Sequence, residues 1–216
     1  MEDLSQLAFG FANGAVTVVR GDLVHDRGTK QRIVFESEEP ITGIQFREGN
    51  TTALYIATTT KILTLIVTGR GQGQPARTLD DMGCALGCLT IDKSTRDIII
   101  ARDDAIYYYG LHGRGASYNL DGRKTLFTTH KDYICAVVSS STSSISRSTL
   151  GGYTGTQAID PNGASTLMIL NTDFNFIAHT EALPVQIKSC FTGWGDLYVL
   201  TLDGKVCGSI LWLRLV

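Results

Sequence analysis

The sequence predicts an all-β fold, a partial β-propeller of the WD-repeat-like kind, and three observations predict it. Short runs rich in Val, Ile, Tyr, Phe and Thr recur between Gly, Asn and Asp punctuation, and no stretch sustains a helical period. Turn signals centred on Gly14, Thr60 and Asp104 are spaced 46 and 44 residues apart, the interval at which propeller blades repeat. Runs such as Ile98-Ile99-Ile100-Ala101 are apolar on both faces, the pattern of a strand whose sheet is sandwiched between two others. A two-sheet sandwich would also give many short strands, but it supplies no reason for that repeat.

Taken in order, the first hairpin joins residues 7–11 to 15–19 through Ala12-Asn13-Gly14. Asn-Gly supplies the positive φ angles that a tight two-residue turn demands. Similar hairpins join 54–58 to 62–67, 98–101 to 105–109, and 197–201 to a strand starting at Lys205 around Asp203-Gly204. Between the last two, 134–138 and 166–170 pair across a long loop, and Asn171-Thr172-Asp173 turns into a strand over 174–179. The loop, 139–165, is rich in Ser, Thr and Gly and poor in apolar anchors, so it is expected to be flexible. Runs at 41–46, 86–91 and 185–191 are expected to be the innermost strands of their blades. At about 45 residues per blade, residues 1–206 hold four to five blades and begin without a complete one. The open faces of its terminal blades make the chain a fragment by expectation, poorly soluble alone.

Composition narrows the function. The chain of 216 residues is 43% hydrophobic and 19% charged, which fits a folded globular protein. A formal charge of -2 and a pI of 6.1 give no footprint for a phosphate backbone, so no nucleic acid is expected as partner. No run approaches the roughly 20 apolar residues of a membrane span, and direct membrane insertion is not expected. The five cysteines, Cys84, Cys88, Cys135, Cys190 and Cys207, are odd in number and scattered, which points to a reducing compartment.

Candidate chemical motifs read better as structure. Cys84 and Cys88 have no second ligand pair at a metal-binding interval and are expected to be small buried hydrophobes. Gly69-Arg70-Gly71-Gln72-Gly73 has the composition of a phosphate loop but no helix after it. Asp80-Asp81 and Asp103-Asp104 are adjacent carboxylates, which a strand points to opposite faces, and are expected in turns. His25, His112, His130 and His179 are dispersed, and no catalytic triad emerges. Trp194 is expected to be a packed aromatic, although aromatics also anchor interfaces. Tyr107, Tyr108 and Tyr109 could stack bases, but Asp103 and Asp104 beside them argue against it. The reading is a non-enzyme with no catalytic, cofactor or metal residues and no cofactor.

Particular residues also match a known family. Phe9-Gly10-Phe11-Ala12-Asn13-Gly14-Ala15-Val16, Gly21-Asp22-Leu23 and Asp26-Arg27-Gly28-Thr29-Lys30 come first. Pro40-Ile41-Thr42-Gly43-Ile44, Phe46-Arg47, Gly83-Cys84-Ala85-Leu86-Gly87-Cys88 and Ala101-Arg102-Asp103-Asp104-Ala105-Ile106-Tyr107 follow. Trp194-Gly195-Asp196-Leu197-Tyr198-Val199-Leu200-Thr201 and Asp203-Gly204-Lys205-Val206 complete the set. In order and spacing these resemble the vacuolar protein sorting-associated protein 11 family, class C core subunits of the HOPS and CORVET tethering complexes. The resemblance implies the later blades of a seven-bladed propeller, which in the family precedes an α-solenoid and a zinc-binding RING domain. Nothing here matches the RING ligands, and residues 207–216 depart from the family pattern. It further implies a scaffold subunit in endosome-to-lysosome or vacuole docking, fusion and protein transport. Its partners would be other class C subunits and, indirectly, Rab GTPases and SNARE proteins. The place of action would be cytoplasmic, peripheral on late endosome and lysosome or vacuole membranes. The alternatives are an unrelated WD-repeat-like adaptor, or a propeller glycosidase needing two inward carboxylates about 5–9 Å apart.

Overall fold

The computed structural model describes residues 6–23, 25, 27–47, 52–67, 75–92, 94–130, 133–139, 165–171, 176–179, 187–193, 196–201, 206–208 and 214–215. All regular structure among them is antiparallel β. The chain divides into two compact units, Met1–Ala101 with Ile106–Ser117, and Arg102–Ala105 with Tyr118–Val216.

The first unit contains three successive sheets, the third sharing its ends with the second unit. The first sheet is β1 (Gln6–Gly10), β2 (Val16–Asp22) and β3 (Arg27–Phe35), in that spatial order. The second is β4 (Ile41–Arg47), β5 (Ala53–Thr58), β6 (Ile62–Ile66) and β7 (Arg77–Asp80). The third is β8 (Leu89–Ile91), β9 (Ile98–Ala101), β10 (Ala105–Gly110) and β11 (Gly113–Asn119). The central strands β5 and β9 are buried along their whole length, as the doubly apolar runs predict. Val16, Val18, Ile41, Leu54, Ile56, Leu63 and Leu65 form one cluster between the first two sheets. Each such side chain contributes about 1.5–3 kcal/mol when fully buried, so this cluster helps to hold the pair together.

Successive sheets of this unit meet through edge strands. β1 packs on β4, and β4 on β8. Glycine makes both approaches possible: a Cβ on Gly10 would lie 2.4 Å from Ile41 Cγ2, and one on Gly43 would lie 2.8 Å from Leu89 Cβ. The repeat locates a gap in the first sheet. The turns near Thr60 and Asp104 join the second and third strands of their sheets, whereas the turn at Gly14 joins the first and second. Among the described residues the first sheet therefore has no counterpart of β4 and β8, and β1 stands at its edge. The face of this sheet turned away from the core cluster carries Leu7, Phe9 and Ile33, in register through Phe9↔Thr17 and Thr17↔Ile33 and all exposed.

Two expectations are corrected. The first hairpin has a three-residue turn, not a two-residue one. Phe11 N–H donates to the Ala15 carbonyl (2.9 Å) and Gly14 N–H to the Phe11 carbonyl (3.1 Å). Only Gly14 has positive φ (84°), so this is a type I turn followed by a left-handed bulge glycine. The run 86–91 yields strand only from Leu89, because Gly87 adopts φ 80° and ends the extended chain before it.

The second unit holds β12 (Arg123–His130), β13 (Tyr133–Ser139), β14 (Ser165–Asn171) and β15 (Phe176–His179) in one sheet, extended at its edge by β19 (Arg214–Leu215). A second sheet contains β16 (Ile187–Gly193), β17 (Asp196–Thr201) and β18 (Val206–Gly208). β12 packs on β16, again first strand on first strand. The expected pairing across the long loop is present, with Ile134↔Leu170 and Val138↔Thr166. Residues 140–164, the turns at 172–175 and 202–205, and Trp194 lie outside the described residues. Lys124 is 2% exposed, and its ammonium is held by the carbonyl oxygens of Leu120 and Asp103, the latter at 3.1 Å. Carbonyl dipoles offset the cost of burying that charge.

Candidate interaction surface

The sheets of the first unit end in a rim of four loops, 11–15, 36–40, 59–61 and 81–88, tied together in sequence. Gly14 is wedged against the loop that follows, since a Cβ there would lie 1.9 Å from the Ser37 carbonyl oxygen. Ser37 N–H donates to the Gly14 carbonyl (3.0 Å), and Ile41 N–H to that of Phe11 (3.1 Å). Glu39 then grips the third loop. Its carboxylate accepts from Thr59 Oγ1 (3.1 Å), Thr60 N (3.1 Å) and Thr60 Oγ1 (2.5 Å). Those bonds, foremost from the Thr60 hydroxyl, hold its pKa down at about 2.

The fourth loop is pressed onto the third by backbone contact. A Cβ on Gly83 would lie 2.1 Å from the Thr58 carbonyl oxygen, which also accepts from Cys84 N–H (3.2 Å) and Thr42 Oγ1 (3.1 Å). Cys84 and Cys88 are buried, the small apolar role expected of them. They leave the intervening chain to bow outward. Leu86 is 75% exposed and Met82 52%, while Phe11 on the first loop is 45% exposed. Glu36, Glu38 and Asp81 on the same four loops are also exposed, and Lys61 is the one cation in these loops.

At the opposite end of the second and third sheets a polar group is enclosed instead of displayed. Tyr55 is 0% exposed, and its hydroxyl and Arg47 Nε are buried with no hydrogen-bond partner among the described residues. Burial, aided by the charge of Asp97, pushes the Tyr55 phenol up to about 12. Two carboxylates of the β8–β9 loop diverge. Burial raises Asp97, which Arg47 only partly offsets. Burial also opposes ionisation of Asp92, but hydrogen bonds from Ser94 and Thr95 outweigh it and lower its pKa.

Among the described residues, those singled out by sequence have separate local partners. Asp80 accepts a short hydrogen bond from the buried Tyr109 hydroxyl, and Asp103 and Asp104 occupy the β9–β10 turn. His25 pairs with Asp22 (2.9 Å) at an exposed turn, and His112 offers its carbonyl to Arg77. Tyr107 is buried with Arg114 4.5 Å above its ring, and Tyr109 is 0% exposed, so these tyrosines form no platform for bases. The side chains of His130 and His179, and the glycine-rich 69–73, lie outside the described residues. Sequence reasoning missed the rim. Its one local signal is Gly83 and Gly87 flanking Leu86, which marks a bend more than a strand.

Antiparallel sheets packed in succession through their first strands define part of a β-propeller, and solved structures bear this out. The chain is similar to BBS1N, an N-terminal β-propeller solved in complex with ARL6DN. That match has a TM-score of 0.59 and 11% identity, covering 94% of this chain and 59% of the other. A second structure of that complex, soaked with mercury, gives a TM-score of 0.58 at 10% identity, covering 94% and 63%. The chain belongs to the PEP5/VPS11 N-terminal family, whose model matches residues 1–208. It is 32% identical over 208 residues to the vacuolar protein sorting-associated protein 11 homolog of Mus musculus, covering 95% of this chain and 21% of that protein. The Homo sapiens homolog is 31% identical with the same coverage, and that of Dictyostelium discoideum 27%, covering 95% and 24%. The chain thus spans about a fifth of the length of the curated relatives it matches.

Proposed function

We propose that this protein is a non-enzymatic scaffold subunit of the HOPS and CORVET membrane-tethering complexes, acting in vesicle docking and fusion between endosomes and lysosomes or vacuoles. The observation that carries the reading is the family match over residues 1–208, with relatives in vacuolar protein sorting. The partners are other class C subunits and, through them, Rab GTPases and SNARE proteins. The site of action is the cytoplasmic face of late endosomes and lysosomes or vacuoles, held peripherally. Among the described residues no helix is long and apolar enough to cross a membrane. A tether of this kind works by avidity: several weak contacts on one scaffold add without any single tight one. Sheets fixed by buried central strands suit that role because they hold contact loops at constant spacing.

The test is affinity purification of the endogenous protein, tagged between residues 139 and 165, with mass spectrometry of its companions. Recovery of class C tethering subunits at comparable amounts is the expected result. A stable protein recovered without them overturns the reading and leaves a propeller adaptor with other partners.

A further inference from the structure

We infer that the loop rim of the first unit is a docking surface for a basic amphipathic segment of a protein partner. The inference rests on the reading of the chain as an interaction subunit and names the chemistry of one partner. Leu86 is the starting point. A leucine that is 75% exposed contributes little to the fold, and the loop does not need it: Gly83, Cys84 and Cys88 already fix the loop from below. Met82 and Leu86 are therefore held outward by structure that is already ordered. Binding to them costs little of the loop entropy that a mobile loop would lose.

Charge selects the occupant. Phe11, Met82 and Leu86 are the exposed large apolar side chains of these four loops, which also carry the carboxylates Glu36, Glu38, Glu39 and Asp81, and hydrogen bonds from Thr59 and Thr60 keep Glu39 ionised down to about pH 2. Lys61 is the sole cation in these loops. An anionic lipid surface or a nucleic acid meets repulsion here. A segment with Lys and Arg flanking leucine-sized side chains places its apolar face on Leu86 and Met82 and its cations on the carboxylates. Methionine suits such a contact because its unbranched side chain adapts to the partner.

The test places a photo-crosslinking benzoylphenylalanine at Leu86 of the full-length protein in cells and sequences the crosslinked peptides. The expected result is one recurrent protein segment of net positive charge. Its yield falls at least about fivefold in the Glu38→Lys, Asp81→Lys background, as expected when rim charges steer association. The same probe at Ile33 does not capture it. No recurrent peptide, an acidic or neutral one, lipid adducts, or a yield indifferent to charge reversal overturns the inference. Should the double variant melt at a lower temperature than the parent, Leu86→Asp with the probe at Met82 replaces it, with the same loss expected. A basic crosslink on this protein, when the protein itself is recovered without class C subunits, sinks the tethering assignment and leaves the docking surface standing. Co-purification without any basic crosslink does the reverse.

Discussion

Glu39 accepts hydrogen bonds from both the backbone N–H and the hydroxyl of Thr60, at 3.1 and 2.5 Å, across a gap of 21 residues in sequence. These bonds favour the carboxylate over the acid and lower its pKa from 4.5 to about 2. A lowered carboxylate pKa stabilises the fold fully above the unfolded value and loses that contribution as pH falls through the folded one. The stabilisation from Glu39 is thus complete above about pH 4.5 and gone below about 2. Side-chain carbonyl NMR should show the Glu39 midpoint near 2, and Glu39→Gln should speed amide exchange at Thr60 at neutral pH. A midpoint near 4.5 would mean that the link between the second and third loops does not form in solution.

Tyr55→Phe is expected to stabilise the protein. The hydroxyl lies in a fully buried side chain and has no hydrogen-bond partner among the described residues, and such a group costs about 1–3 kcal/mol. Phenylalanine keeps the ring and removes that cost, so a gain of about 1 kcal/mol in denaturant unfolding is the expected outcome. A loss of comparable size would show that the hydroxyl is satisfied.

Asp97 and Asp92 should respond to pH with opposite signs. A carboxyl raised by burial, as at Asp97, disfavours the fold once ionised, so stability from it declines as pH rises through the unfolded value near 3.8. Asp97→Asn should therefore raise the melting temperature at pH 7 and leave it little changed at pH 3. Asp92 is lowered by Ser94 and Thr95, and Asp92→Asn should depress the melting temperature at pH 7. Melting curves of the two variants at both pH values check this, and parallel shifts would refute it.

The first hairpin gives a contrast between neighbours. Gly14→Ala places a Cβ at positive φ and against the Ser37 carbonyl, and should cost more than about 2 kcal/mol. Asn13→Ala should cost under about 1 kcal/mol, since Asn13 does not adopt positive φ and loses only its bond to Ala15 N–H. Equal penalties would restore the two-residue turn expected from the sequence.

The strand pattern was legible because burial on both faces leaves a compositional trace. Ile98 to Ala101 reads as a sandwiched strand from residue type alone, and it is buried along its whole length, while the hairpin arm read over 54–58 lies within the buried strand Ala53–Thr58. The turn type was not legible, because Gly14 takes its role from Ser37 and Glu39, more than 20 residues away. Leu86 misled for a related reason. An apolar residue ahead of Leu89-Thr90-Ile91 looks like part of the strand, and only the backbone contact of Gly83 with Thr58 reveals that the chain is turned outward. Lys124 shows the limit from the polar side: its burial depends on carbonyls at Leu120 and Asp103 that no local pattern announces.

The bond from Cys84 N–H to the Thr58 carbonyl has a mechanical meaning. Thr58 ends β5, the strand flanked by both β4 and β6 in its sheet. A pull on the 81–88 loop therefore reaches the middle of a hydrogen-bonded sheet instead of stretching a slack linker. Load is shared among several backbone bonds at once, and the loop transmits tension between whatever grips it and the body of the propeller.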